Sequence, residues 1–239
     1  LLCQNNQIAA LNVMQNKKLV KLNAAYNNLY SLSLTGLSQL QELVVNNNAL
    51  PTLTVSGSKL LQTIVCNDNK IASLSLTLLT KLQTLWCHNN LIKTLDISKS
   101  SNLISLMCQN NEIGILNITG LASLTDVWCN SNQLNNLDVS TNSALVYLSA
   151  NNARIENINY GTASKLTTLY LGKNRLGYAG LLSPSKLTNY GYTVQDSIRI
   201  LATYDTDKDI DLTAQLATAD NVATGATFKW YDNGVAMAA

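Results

Sequence analysis

Leu19, Leu40, Leu61, Leu82, Leu103, Leu124, Leu145, Leu166 and Leu187 are spaced 21 residues apart, with no insertion between any two copies. Self-similarity at so short a fixed period makes each copy a small unit that buries its apolar face only by stacking on the next. With that leucine as position one, position four is Leu22, Leu43, Ile64, Leu85, Leu106, Val127, Leu148 and Leu169. Position six is Ala24, Val45, Cys66, Cys87, Cys108, Cys129, Ala150 and Leu171. Position nine is Asn27, Asn48, Asn69, Asn90, Asn111, Asn132 and Asn174, interrupted by Ala153. Apolar residues return at positions eleven, fourteen and sixteen, as in Ile92, Leu95 and Ile97. Counted backwards, Leu1 falls at position four and Cys3 at position six, so the chain opens inside a repeat and an upstream segment is expected.

Positions four and six alternate around position five, the period-2 pattern of a strand with one buried face. Strands that recur at a short fixed period stack in parallel. The return path holds apolar residues at positions fourteen and sixteen, a spacing of two that favours an extended segment over an α-helix. The expected shape is a right-handed solenoid, β-rich, with a parallel concave sheet and little α-helix. About ten repeats, the first incomplete, occupy residues 1–193.

The pattern LxxLxCxxNxLxxLxV resembles the short, 21-residue class of bacterial leucine-rich repeats, the internalin-like proteins. The resemblance spans residues 1 to about 192, and it implies a solenoid that binds other molecules, in a secreted or cell-surface bacterial protein. It is specific for fold and weak for function, because the motif is a building plan and not a site.

Bulk composition excludes several other classes. The charged fraction of 13% is about half the usual share, and a net charge of +2 creates no strong field. Nothing in that balance points to nucleic acid or an anionic membrane. No apolar run approaches the roughly 18–20 residues that span a bilayer, so membrane attachment is expected only through an anchor outside this sequence.

The stretch LQTLWCHNN places Cys87 beside His88, the single histidine, and the Trp-Cys pair recurs 42 residues later in LTDVWCNSN. A nucleophile–base or metal-ligand pair is one reading, but strand parity separates the two side chains. All five cysteines, Cys3, Cys66, Cys87, Cys108 and Cys129, fall in the inward column six. Buried thiols of this kind are small hydrophobes, and a linear ladder does not converge tetrahedrally on a metal. The asparagines of column nine are expected to satisfy backbone groups of the turn that leaves the strand, with a local weak point at Ala153.

Positions three, five and seven face outward. There Trp86, Met107 and Trp128 form a stripe through position five, continued by Tyr170, with Trp86 and Trp128 two strand spacings or about 10 Å apart. His88, Gln109 and Asn130 flank it at position seven, Asp126 and Tyr147 at position three. An aromatic patch rimmed by amides is how many binding surfaces are built, and these nine residues are the candidate ligand site for a protein, peptide or glycan. The alternatives are that the aromatics stabilise the sheet as cross-strand neighbours, or that the chain is a structural spacer without a ligand. Catalysis is not expected: His88 and Asp126 lie roughly 16 Å apart, beyond general acid–base reach, although Asp68 is near enough to His88 for a charge pair. No cofactor or metal is expected, and the protein is expected to be a monomer.

The period stops after Tyr192. Residues 198–202, 209–213 and 226–232 read as short alternating strands, and FKWYDNG resembles the tryptophan-bearing strand of immunoglobulin-like domains. Residues 194–239 are expected to be an incomplete immunoglobulin-like segment, a β-sandwich-like cap on the open edge of the last repeat. Asp205, Asp207, Asp209 and Asp211 alternate as in a calcium loop, but Ile210 stands where that loop needs glycine, so solvent-facing strand residues are the better reading.

Overall fold

The computed structural model describes residues 1–76, 78–161, 165–176, 187–191, 231–232 and 235–236. Strands Lys21–Asn23, Glu42–Val44, Thr63–Val65, Thr84–Trp86, Ser105–Met107, Asp126–Trp128, Tyr147–Ser149, Thr168–Tyr170 and Asn189–Gly191 form one nine-stranded parallel sheet. Each residue pairs with the one 21 positions on, and Leu2 adds a bridge to Asn23 at the near edge. Among the described residues there is no helix, and a leucine-rich-repeat solenoid is formed as its spacing predicts. The expected immunoglobulin-like segment lies outside the described residues, except for an antiparallel pairing of Tyr231–Asp232 with Val235–Ala236.

The second wall is also extended chain. Its strands are Ala10–Asn12, Ser31–Ser33, Thr52–Thr54, Ser73–Ser75, Thr94–Asp96, Ile115–Asn117, Asn136–Asp138 and Asn157–Asn159, at positions thirteen to fifteen. Between the walls, columns four, six and eleven are sealed: Leu85, Cys87 and Ile92 are each fully buried, as are their equivalents Leu106, Cys108 and Ile113. Every column is apolar, so stacking converts a one-residue-wide stripe into a continuous core.

Column nine closes the turn. The Nδ2 of Asn90 donates to the carbonyls of Cys66, Cys87 and His88, each at 3.1 Å, while its Oδ1 accepts the Ile71 N–H at 2.9 Å. Asn111 repeats the set one rung on, with Cys87, Cys108, Gln109 and Ile92. The residue just before, at position eight, holds a left-handed conformation in every rung, with φ between 53° and 58° from Asn5 to Lys173. Asn and Asp tolerate that region best, and they fill it at Asn47, Asp68, Asn89, Asn110 and Asn152.

The second wall has a longer period than the first. Its strands pair two by two: Ala10–Asn12 with Ser31–Ser33, Thr52–Thr54 with Ser73–Ser75, Thr94–Asp96 with Ile115–Asn117, and Asn136–Asp138 with Asn157–Asn159. The three gaps between pairs are bridged by side chains of position nineteen. Ser58 Oγ donates to the Leu37 carbonyl at 3.1 Å, Ser100 Oγ to that of Leu79 at 3.2 Å, and Asn142 Nδ2 to those of Leu121 and Ile118. Column nineteen alternates accordingly, Leu37, Ser58, Leu79, Ser100, Leu121, Asn142, so the structural unit is a double repeat of 42 residues. Where the backbone ladder lapses, a buried hydroxyl or amide carries the connection.

Ala153 breaks column nine in a definable way. Leu134 is fully buried, and its N–H is the one that an asparagine at 153 would accept; among the described residues no acceptor replaces it. Asn174 Oδ1 instead takes two donors, the N–H groups of Ala153 and Ile155, both at 3.0 Å. Arg154 next door adopts a further positive φ of 61°, which no other rung shows at that position. Two outcomes follow. Ala153→Asn should raise unfolding free energy by about 1 kcal/mol, measured by denaturant titration, and slow hydrogen exchange at Leu134. Ser100→Ala should lower it by about 1 kcal/mol, because the Leu79 carbonyl loses one of its two donors and keeps only the Leu82 N–H at 3.2 Å.

Candidate functional site

Parity sends the odd positions of the nine-stranded sheet outward, and register puts Trp86, Met107 and Trp128 on three consecutive rungs. Trp86 is the most open of the nine candidates, at 36% exposed, while Met107, Trp128, Tyr147 and Tyr170 are half-buried. The aromatics beyond Met107 pack on one another. Trp128 stacks on Tyr147 with centroids 5.0 Å apart and 22° between planes, and Tyr147 meets Tyr170 at 6.1 Å and 58°. The stripe therefore divides: a self-packed cluster over three rungs, then Met107, then Trp86 with no ring partner among the described residues. One face of Trp128 and one of Tyr147 are covered by each other, which leaves edges and the Trp86 ring as the open aromatic surface.

The polar members are less free than their positions imply. Asn130 Oδ1 accepts the Ser149 hydroxyl at 2.8 Å and the Asn151 N–H at 2.7 Å, and Asn151 Oδ1 accepts the Gly172 N–H at 2.7 Å. Asp126 accepts the neighbouring Thr125 hydroxyl. Burial raises the Tyr147 hydroxyl above its ordinary value. No ion pair forms between His88 and Asp68, contrary to the pairing their spacing allows. The Asp68 carboxylate is occupied by amides instead, Asn67 Nδ2 at 2.6 Å and Asn89 Nδ2 at 2.7 Å, and the chain extends through Asn110 to Asn89. Asparagine enrichment at position eight was the only sequence sign of this second polar column. Toward the other end of the sheet, Lys21 and Glu42 pair at 2.7 Å, a mostly solvated bridge of little energetic weight.

The thiols take no part in this surface. Cys66, Cys87, Cys108 and Cys129 are free and fully buried, and Cys3 is half-buried. Burial pushes Cys87 and Cys129 up to about 12. It raises Cys66 and Cys108 as well, with neighbouring thiols adding to the effect. Among the described residues no group of three or more His, Cys, Asp or Glu side chains converges on a metal position.

No known protein-family profile matches the chain, and no curated protein is found to be similar. Solved structures do match. InlJ of Listeria monocytogenes, whose functional domain includes a cysteine ladder, superposes with a TM-score of 0.67 at 28% identity over 90% of this chain. The Listeria monocytogenes internalin InlF superposes with a TM-score of 0.67 at 26% identity over 87% of it. The chain is a leucine-rich-repeat solenoid. It spans 51% of the InlJ chain and 62% of the InlF chain. The effector protein YopM of Yersinia pestis shares the solenoid at 25% identity, with a TM-score of 0.66 over 76% of this chain and 50% of that one. The solenoid's own cysteine column occupies the inward position that its spacing predicts. A thiol reagent such as dithionitrobenzoate at about pH 8 should therefore label only Cys3 in the native protein, and four more sulfurs once the chain is unfolded. Fast native labelling of Cys87 would contradict its burial.

Proposed function

We propose that this solenoid is a recognition module that binds a protein ligand on its concave sheet, centred on Trp86, Met107 and Trp128. The observation that carries the reading is Trp86. It projects from the outward face of a sheet whose core is already complete, 36% exposed, so packing does not account for it. Tyr147 and Tyr170 extend the apolar surface, and His88, Gln109, Asp126 and Asn130 form its polar border. A centre of aromatic and thioether groups with an amide rim is the composition of protein interfaces. Sugars stack on open ring faces, and the mutual stacking of Trp128 and Tyr147 leaves fewer of these, which favours protein or peptide over glycan.

The internalin neighbours support a bacterial protein that acts outside the cell, secreted or at its surface; that it works as a monomer is part of the same proposal. The segment 194–239 is proposed as the start of an immunoglobulin-like module that follows the repeats. No catalytic role is proposed.

A second reading has its own observation. The Trp128–Tyr147–Tyr170 cluster stabilises neighbouring strands, as a spacer without a ligand would also need. The two readings separate in the Trp86→Ala, Trp128→Ala double variant, assayed for retention on immobilised extracellular protein ectodomains by surface plasmon resonance. Recognition requires at least a tenfold loss of affinity, with the Trp86→Ala single variant melting within about 1 °C of wild type. No ectodomain retained by wild type, together with a lower melting temperature in both single variants, would support the spacer.

A further inference from the structure

Column seven carries a capping function at Asn130 and Asn151. At this position the chain leaves the sheet, and the backbone N–H loses its ladder partner because the carbonyl it would reach is held by the column-nine asparagine. Side chains fill the role at two rungs: the Asn151 N–H is taken by Asn130 Oδ1 and the Gly172 N–H by Asn151 Oδ1, both at 2.7 Å, so a δ1 acceptor in column seven can reach the N–H of the next rung. The Ala25 N–H is taken by Asn23 Oδ1 at 3.1 Å. His88 lies two rungs before Asn130 in the same column. Its Nδ1 is buried and without a hydrogen-bond partner, as is Oε1 of Gln109 on the following rung. The Gln109 N–H makes no hydrogen bond among the described residues, so a buried acceptor and an unpaired donor sit on adjacent rungs about 4.8 Å apart. Buried polar groups left in that state are rare.

We propose that His88 is a column-seven cap, held as the neutral Nε2–H tautomer with Nδ1 turned in toward the Gln109 N–H, and that its outward Nε2–H is the fixed hydrogen-bond donor of the concave patch. A proton on Nδ1 would set one N–H against another, so the cap selects the tautomer. The donor stands beside Trp86 on the same outward face. What it takes is a neutral carbonyl acceptor, such as a protein backbone presents. The Asp68 carboxylate, the charged group that acts on His88 from the preceding rung, disfavours an anionic acceptor. The ligand half of this assignment rests on the protein-binding reading above; the tautomer half does not.

Burial lowers the His88 pKa from its ordinary 6.5, and the Asp68 charge opposes the shift. A depressed pKa means that the unfolded chain takes up the proton first. The stability that His88 contributes is therefore complete above about pH 6.5 and is lost as pH falls from there through the folded value.

Because His88 is the only histidine, its ring nitrogens can be assigned without ambiguity in the intact, ligand-free chain. Long-range nitrogen–proton NMR at about pH 7.5 should show Nδ1 unprotonated and Nε2 protonated. A predominant Nδ1–H form, or averaging of both tautomers, overturns the proposal whatever the ligand is. Two variants separate the two nitrogens. His88→Asn keeps a δ1 acceptor and should melt within about 1 °C of wild type, without the wild-type loss of stability below pH 6.5. His88→Gln keeps an ε donor, loses the cap, and should melt about 2–4 °C lower. The reverse order of melting temperatures would refute the cap. With N-methylacetamide as the carbonyl probe, the wild-type Nε2 shift should move more than with equal acetate, whereas a larger response to acetate rules out the neutral acceptor.

Discussion

The column-nine asparagine is the interaction on which the rest of this molecule depends. A 21-residue turn leaves too little chain for a helix, so the backbone must reverse abruptly after three strand residues, inside a dry core. That reversal strands carbonyls of two rungs and an N–H, and one carboxamide, with two donor hydrogens and an acceptor oxygen, reaches them together. Asn90 binds groups contributed by two rungs, so each asparagine staples its turn to the one before. The left-handed residue at position eight aims the carboxamide inward, and the apolar columns then fill the space it leaves. Ala153 shows the dependence by its absence: the neighbouring asparagine takes a second donor and the backbone beside it twists.

The same turn shapes the outer surface. The turn after position six removes a backbone partner from position seven, and two of the amides there act as caps. Asn130 and Asn151 spend their carbonyl oxygens on the next rung, so their Nδ2 groups are what they can offer a ligand. His88 enters the same scheme with a ring, which makes a structural requirement and a surface property depend on one tautomer. The aromatic stripe behaves in parallel. Trp128, Tyr147 and Tyr170 stabilise each other across rungs, whereas Trp86 has no such partner. A surface of this kind is set by the frame beneath it.

Much of this was legible in the residues alone. Nine leucines at one spacing specify the stack; parity alone separates Cys87 from Trp86 and His88, and the exposed and buried columns follow without a coordinate. Asp68 is near enough for its charge to act on His88, but a contact ion pair was not to be read from spacing, because Asn67 and Asn89 take up the carboxylate. The division of the aromatic stripe was not legible either, since a column position does not report ring orientation. Column nineteen did carry a sign, the alternation of leucine with serine or asparagine, but it becomes meaningful only beside the two-by-two pairing of the second wall.

Sequence by itself determined the period, the register, the inward and outward columns and the inertness of the thiols, because each follows from a repeat length and a strand parity that leave no alternative. Only the tertiary structure decided which polar atoms remain available. Hydrogen-bond partners at this surface come both from adjacent residues and from residues 19 to 21 positions away, and the competition among them is one that no one-dimensional pattern records.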